Sequence, residues 1–477
     1  MGNTSATLSA LESIYQSSVR SDYNNSYCRE NEQSMAEQRI LLRWSRWISL
    51  SLILLLSWGN SVIFAQESDS TEGSSTTEEP LLDEFSPNPL NSDKPDELLL
   101  NPPPEGKFLS PTQQERLAPA LEQLNTEATA VLESGNPTAA LNLWMRELRL
   151  RRYFGILPEI AALRRVGKIA LNNNQQLYAK FITERLQQIL QQVQSESKSN
   201  QQVLQNLGLA FQDLAAKDFA LETYQTLLNQ ARQQDNLLSE ELALRQMSEV
   251  YFTWLDYPKA TEFYEELLTL QQQISVLQRQ GKLPQPVMAQ PETEETATTL
   301  PSELQTLEQL AFIYEQMGEY LQAIAAKERL IGYYSEQQDA LQVPQLKLSV
   351  GDYYEQLKQY QQAAQNYQEA YQLSTAIQQY VVASDALERL GQLYYSQNQK
   401  DAALELYQAQ LLIYQQSYNW IGMMSSYDKI GDIYLDKQAY KQALSAFQQG
   451  LKLANQLKYK EDYFTRKVES VTQTINR

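Results

Sequence analysis

Histidine is absent from the 477 residues, and cysteine occurs once, at Cys28. Without an imidazole there is no Ser-His-Asp or Cys-His group to activate a nucleophile. Zinc sites of the Cys/His kind need several such ligands and are excluded by the same count. One cysteine cannot close a disulfide within the chain. Basic residues are also scarce: 39 Lys and Arg stand against 58 Asp and Glu, a formal net charge of −19. Nucleic-acid phosphates and anionic lipid both require a cationic face, so neither is an expected partner. Glycine and proline are few, at 16 and 17, and many of the prolines sit in two short stretches. No glycine-rich phosphate loop and no calcium loop of alternating Asp around a central Gly occurs. The sequence therefore predicts no metal and no cofactor. Paired carboxylates can work without histidine. Glu265-Glu266 and Glu292-Glu294-Glu295 are the candidates, and solvated faces account for both.

The N-terminal part divides three ways. Residues 1–34 are polar and lack periodicity. Met1-Gly2-Asn3-Thr4-Ser5-Ala6 begins like a myristoylation site, but Ala6 stands where Ser or Thr is wanted. Met35 precedes Arg39, Arg43 and Arg46, then an apolar run from Trp47 to Ala65, then acidic residues. Residues 35–65 thus resemble a bacterial-type signal peptide, although Ile63 departs from its cleavage rule. The same run is just long enough to stay as a transmembrane anchor; a buried core helix is the third reading. A start at Met35 would make residues 1–34 an over-extended leader. With Arg on the near side and acid on the far side, the rest of the chain is expected outside the cytoplasm, periplasmic, secreted or anchored. Residues 66–115 read as an acidic, Pro-rich, disordered linker. Between positions 66 and 110 lie eleven acidic residues, seven prolines and only Lys94 and Lys107.

What fills the remainder is Leu, Gln, Ala, Glu and Tyr in a repeating register. A small residue recurs at Ala128, Gly167, Gly208, Ser248, Ala311, Gly351, Gly391 and Gly431. The intervals are 39 to 41 residues except one of 63, where Pro284, Pro286, Pro291 and Pro301 mark an insertion near 280–301. Twelve residues after each small residue comes alanine, from Ala140 to Ala443. Four further on is usually an aromatic: Trp144, Tyr224, Tyr264, Tyr367, Tyr407 or Phe447. Three residues after the small position sits Phe211, Tyr251, Tyr314, Tyr354, Tyr394 or Tyr434. Two helices cross closely only where a Gly or Ala lies between them, and aromatics then fill the space left between units.

This phrase resembles the tetratricopeptide repeat (TPR), in a long variety of about forty residues. The resemblance spans residues 116–458 in about eight units. Unit 2 departs from it: Ala170 and Thr183 replace aromatics. It implies an all-α, right-handed superhelical solenoid of helix-turn-helix repeats, with residues 459–477 as a polar capping helix. It also implies a protein-binding scaffold rather than an enzyme.

In TPR proteins the first helix of each unit lines the inner groove. The resemblance maps that lining onto positions three before, one after and four after the small residue. This gives Arg164, Lys168 and Leu171 in unit 2, and Arg245, Glu249 and Phe252 in unit 4. In units 5 to 8 it gives Glu308, Glu315, Asp352, Glu355, Glu388, Tyr395, Asp428 and Asp432. The groove is expected to be basic at one end and acidic at the other, fitting a protein or peptide with a basic segment. Arg146, Arg149, Arg151, Arg152 and Arg165 add a cationic cluster that is able to hold carboxylates. TPR carboxylate clamps set a precedent, yet only two basic positions match and the usual Asn is missing. An assembly factor that recruits partners or self-associates is the alternative; a carboxylate-only enzyme is a distant third.

Overall fold

The computed structural model describes residues 88–91, 96–104, 107–195, 200–283, 302–337, 339 and 341–476. The expected leader, the signal or anchor at 47–65, the start of the linker and most of the insertion lie outside the described residues. Among the described residues, no helix is long and apolar enough to cross a membrane.

All described regular structure is helical. The repeat phrases fall on alternating helices: α1 (Pro111–Glu133), α2 (Pro137–Arg151), α3 (Ile156–Asn172), α4 (Gln176–Ser195), α5 (Gln201–Asp213) and α6 (Lys217–Gln233). They continue as α7 (Leu237–Thr253), α8 (Tyr257–Arg279), α9 (Ser302–Met317), α10 (Tyr320–Glu336), α11 (Val343–Gln356) and α12 (Tyr360–Ala376). The series ends with α13 (Tyr380–Ser396), α14 (Lys400–Gln416), α15 (Trp420–Asp436), α16 (Tyr440–Leu457) and α17 (Glu461–Ile475). Each helix packs chiefly on its sequence neighbours, as a solenoid of stacked hairpins requires.

The repeated small residue is the seat of a ring. A Cβ added at Gly208, Gly351, Gly391 or Gly431 would lie within 3.0 Å of Tyr224, Tyr367, Tyr407 or Phe447 respectively. Each of these aromatics is sixteen residues downstream, on the second helix of the same unit. The ring therefore fills the crossing inside its own unit, rather than only the gap to the next one. Tyr224 does both, since its hydroxyl also reaches Gln246 on α7 at 3.2 Å. Burying one such ring removes roughly 150–250 Å² from water, on the order of 4 kcal/mol. Unit 2 solves the same packing differently. With Thr183 in the aromatic place, the space over Gly167 is taken by Leu214, at the end of the next unit's first helix.

The turns repeat as strictly as the crossings. Lys358, Asn398 and Gln438 end first helices in the left-handed region, and Gln378, Tyr418 and Lys458 end second helices the same way. The N–H of the residue after each first-helix turn returns to a tyrosine carbonyl, Tyr354, Tyr394 or Tyr434, at 2.8 Å. This is a Schellman closure, which satisfies the helix's orphan carbonyls. At the far end α17 lays Phe464 over Gly450 of α16, while most of its other residues stay in solvent.

Part of the expected linker is not free. Leu90 is buried among the core side chains of the first repeats, and Leu109 packs with Leu117 and Leu121 of α1. Asn88 donates to the Phe181 carbonyl at 3.0 Å, and the Leu109 N–H to that of Tyr153 at 2.9 Å. Composition misleads here because a few leucines and one aspartate suffice to dock an otherwise polar strap.

Candidate functional site

The face formed by the first helices carries the positions expected to line a groove. At its N-terminal end, Arg164 and Lys168 on α3 converge on Asp213 of α5, with Lys168 Nζ 3.7 Å from its carboxylate. Lys168 keeps 60% of its side chain in solvent. Arg245 on α7 pairs one turn back with Glu241 at 2.7 Å. Its neighbour Glu249 is pushed above the ordinary glutamate range by burial, with Arg245 opposing.

In units 5 to 8 the expected acidic residues are present, but they are not an open strip of charge. Glu315 accepts the Tyr353 hydroxyl at 2.6 Å. Asp352 and Glu355 share the Tyr367 hydroxyl, at 2.8 and 2.9 Å. One hydroxyl proton serves one carboxylate at a time, and Arg389 supplies Asp352 with a second donor. Glu388 is paired with Lys429, and Asp428 and Asp432 with Lys467 of α17 at 2.9 and 2.6 Å. Tyr395 donates to Asp436. Lys327 on α10 lies among Glu308, Glu315 and Asp352, its pKa lowered by burial against their attraction. Burial likewise raises Glu308, which is hydrogen-bonded to Tyr334, and Asp352.

Sequence reasoning found these carboxylates and missed their partners. The signal was available: Arg389 and Lys429 both stand two residues before the repeat glycine. Each therefore reaches back one unit onto an acidic position. Seven carboxylates still outnumber the four cations Lys327, Arg389, Lys429 and Lys467, so this half remains net acidic.

The separate arginine cluster is engaged within the chain. Arg146 grips Asp96 of the strap through two bonds of 2.8 and 2.9 Å, while Arg149 and Arg152 cap the carbonyls of Pro89 and Leu90. Arg151 and Arg165 close on the fully buried Glu147. The carboxylates this cluster holds are the protein's own, Asp96 of the strap and Glu147 of α2.

Between the two charged halves lies an aromatic pair that charge reasoning did not single out. Phe252 of α7 and Phe312 of α9 meet edge to face, with ring centres 5.8 Å apart. Phe312 remains 39% exposed, although it follows a repeat small residue where polar side chains stand in units 6, 7 and 8.

Stacked antiparallel helix pairs with a ring seated on a repeated glycine define a helical-repeat protein. The tetratricopeptide repeat model matches residues 344–376 and 425–457, two of these pairs. The chain contains tetratricopeptide repeats, and such repeats typically serve as protein-binding scaffolds. Among solved structures it is similar to the C-terminal part of a TPR repeat-containing protein from Cytophaga hutchinsonii. That likeness has 14% identity and a TM-score of 0.35, over 61% of this chain and 95% of that one. It is also similar to BtubC from P. vanneervenii, with 15% identity and a TM-score of 0.31, over 51% and 92%. None of the curated proteins matches the chain.

Proposed function

We propose that the first-helix face takes an extended peptide or helix whose apolar side chain seats on Phe252 and Phe312 and whose basic flank lies along units 5 to 8. The exposed Phe312 ring, backed by half-buried Phe252, carries this reading. A water-facing Phe312 ring beside the half-buried Phe252 ring of the adjacent unit is poorly placed for stability and well placed as an anchor. The net acidity of units 5 to 8 supports a basic flank, although its cation must share carboxylates with Arg389, Lys429 and Lys467. The chain acts outside the cytoplasm, secreted or held by residues 47–65; the arginines before that apolar run support this.

The test is capture of partners by the full chain and by Phe312→Ala. At least a tenfold loss of affinity for the captured partner is expected, with unchanged helical circular dichroism. Undiminished capture would place the partner elsewhere. Protease added to cells whose outer envelope has been opened should digest the repeats while a cytoplasmic marker survives; protection of both would overturn the location.

A further inference from the structure

The edge of the solenoid where second helices turn into first helices changes character along its length. In the N-terminal half these turns are charged: Arg232 pairs with Glu240 and Glu266, and Asp235 lies in the same turn. The turns into units 7 and 8, at 377–379 and 417–419, carry no charge; Asp339 in the turn into unit 6 and Lys458 and Lys460 after unit 8 bound that gap. Ala370–Ser384 is free of ionisable acid or base, and Leu406–Tyr427 extends this over 22 residues. A fifth of the whole chain is charged, so so long a gap is a local property of this edge.

The same turns expose apolar side chains at forty-residue steps. Leu341, Val381 and Ile421 are 59%, 73% and 58% exposed. Leu373, Leu412, Tyr418 and Trp420 add to them, with the Tyr418 and Trp420 rings in contact. Neighbouring turns are tied together, since Gln379 donates to the Leu341 carbonyl at 3.0 Å. Together these seven side chains leave on the order of 800 Å² free, about one partner's share of a standard interface. Monomers seldom leave so large an apolar patch in water. The opposite edge of the same units is charged, with Lys400–Asp436 and Lys437–Asp401 pairs.

We infer that this edge pairs with the same edge of a second copy of the chain, across a two-fold axis. The missing charge selects that occupant. In a two-fold contact, residues near the axis meet their own copies, so any charge there faces its like. A different partner can match either sign, and needs no such gap. A membrane surface is disfavoured, because an acidic chain approaching lipid through this edge brings no cation except Lys458 and Lys460 at one end. The repulsion between two chains of net charge −19 is left to surfaces far from the contact, where salt screens it beyond about 10 Å.

The experiment uses the full chain with Cys28→Ser and a short bis-maleimide. Val381→Cys and Ile421→Cys should each give crosslinked dimer at several times the yield of Gln397→Cys on the opposite edge. Adding Tyr418→Asp should abolish the crosslink while helicity is unchanged. Equal yields at the two edges, or an Asp variant that crosslinks as well as its parent, overturn the proposal. Sedimentation as a single chain with retention on phosphatidylcholine vesicles also overturns it, and assigns the edge to lipid.

Discussion

Units 1 and 2 and units 6 to 8 are built on one register but held together by different means. In the C-terminal units an aromatic ring lies on a glycine, and carboxylates on one first helix take cations from the next unit. In the N-terminal units the ring over Gly167 is missing, a leucine from the next unit stands in, and arginines bind a strap and the buried Glu147. The first kind fills its crossing with the unit's own ring and reaches outside only for a cation; the second borrows the packing itself from outside the unit. Repeats of the first kind are therefore expected to tolerate loss of a neighbour, and those of the second kind to depend on one.

The largest expected effect breaks this comparison at its centre. Gly431→Val would press a branched side chain into the Phe447 ring, which is fully buried and has no room to withdraw. A loss of about 3 kcal/mol is expected from such overpacking. Gly167→Ala meets only the flexible end of Leu214 and gains helix propensity, so it should cost no more than about 1 kcal/mol. Urea midpoints of the two variants test the contrast. Equal losses would mean that Leu214 seals unit 2 as rigidly as a ring does.

Next in size is Glu147→Ala. Its carboxylate is fully buried and takes Arg151 at 3.1 Å and Arg165 at 2.6 Å. Removing it strands two guanidinium groups that are themselves a quarter to a third exposed, so about 2 kcal/mol is expected. Thermal unfolding should show the loss, with Glu147→Gln recovering part of it.

The register of the fold was legible because packing leaves few options at a helix crossing: a small residue must return every forty positions, and its ring sixteen later. The helices on either side of the expected insertion, α8 and α9, are described, while most of the insertion lies outside the described residues. The strap was not legible, since seven prolines and eleven acids between 66 and 110 describe a solvated chain, and only contact shows that Leu90 and Asp96 dock. The carboxylates of the first-helix face could be placed by the repeat register, while the cations paired with them could not. Those cations lie one unit away, and sequence proximity does not show which residue faces which. Phe312 was passed over because the groove was read for charge.

Asp96→Asn tests the strap at smaller cost. Its carboxylate is held below the ordinary aspartate range by the hydrogen bond from Arg146. The contact contributes fully above that ordinary range and is lost as the pH falls through the lowered value. Exposed pairs are worth little, and this one is part-buried and bidentate, so about 1 kcal/mol is expected. Limited proteolysis should cut between residues 96 and 110 faster in the variant, leaving α11 to α16 untouched.

The smallest effect has the opposite sign. Glu249, in the middle of the solenoid, is raised by burial, with Arg245 only partly compensating. A carboxyl whose folded pKa exceeds its unfolded value favours the folded state when protonated. Its contribution is full below the ordinary glutamate range and disappears as the pH rises through the raised value. Mild acidification from neutral pH should therefore firm units 4 and 5 before further acid loosens the strap through Asp96. Glu249→Gln removes the charge at every pH. It should raise the melting temperature slightly at pH 7 and leave it unchanged at pH 4, flattening the acid side of the profile. An equal rise at both pH values would mean that the substitution improves packing, and that burial of this charge does not distinguish the middle units from the first two.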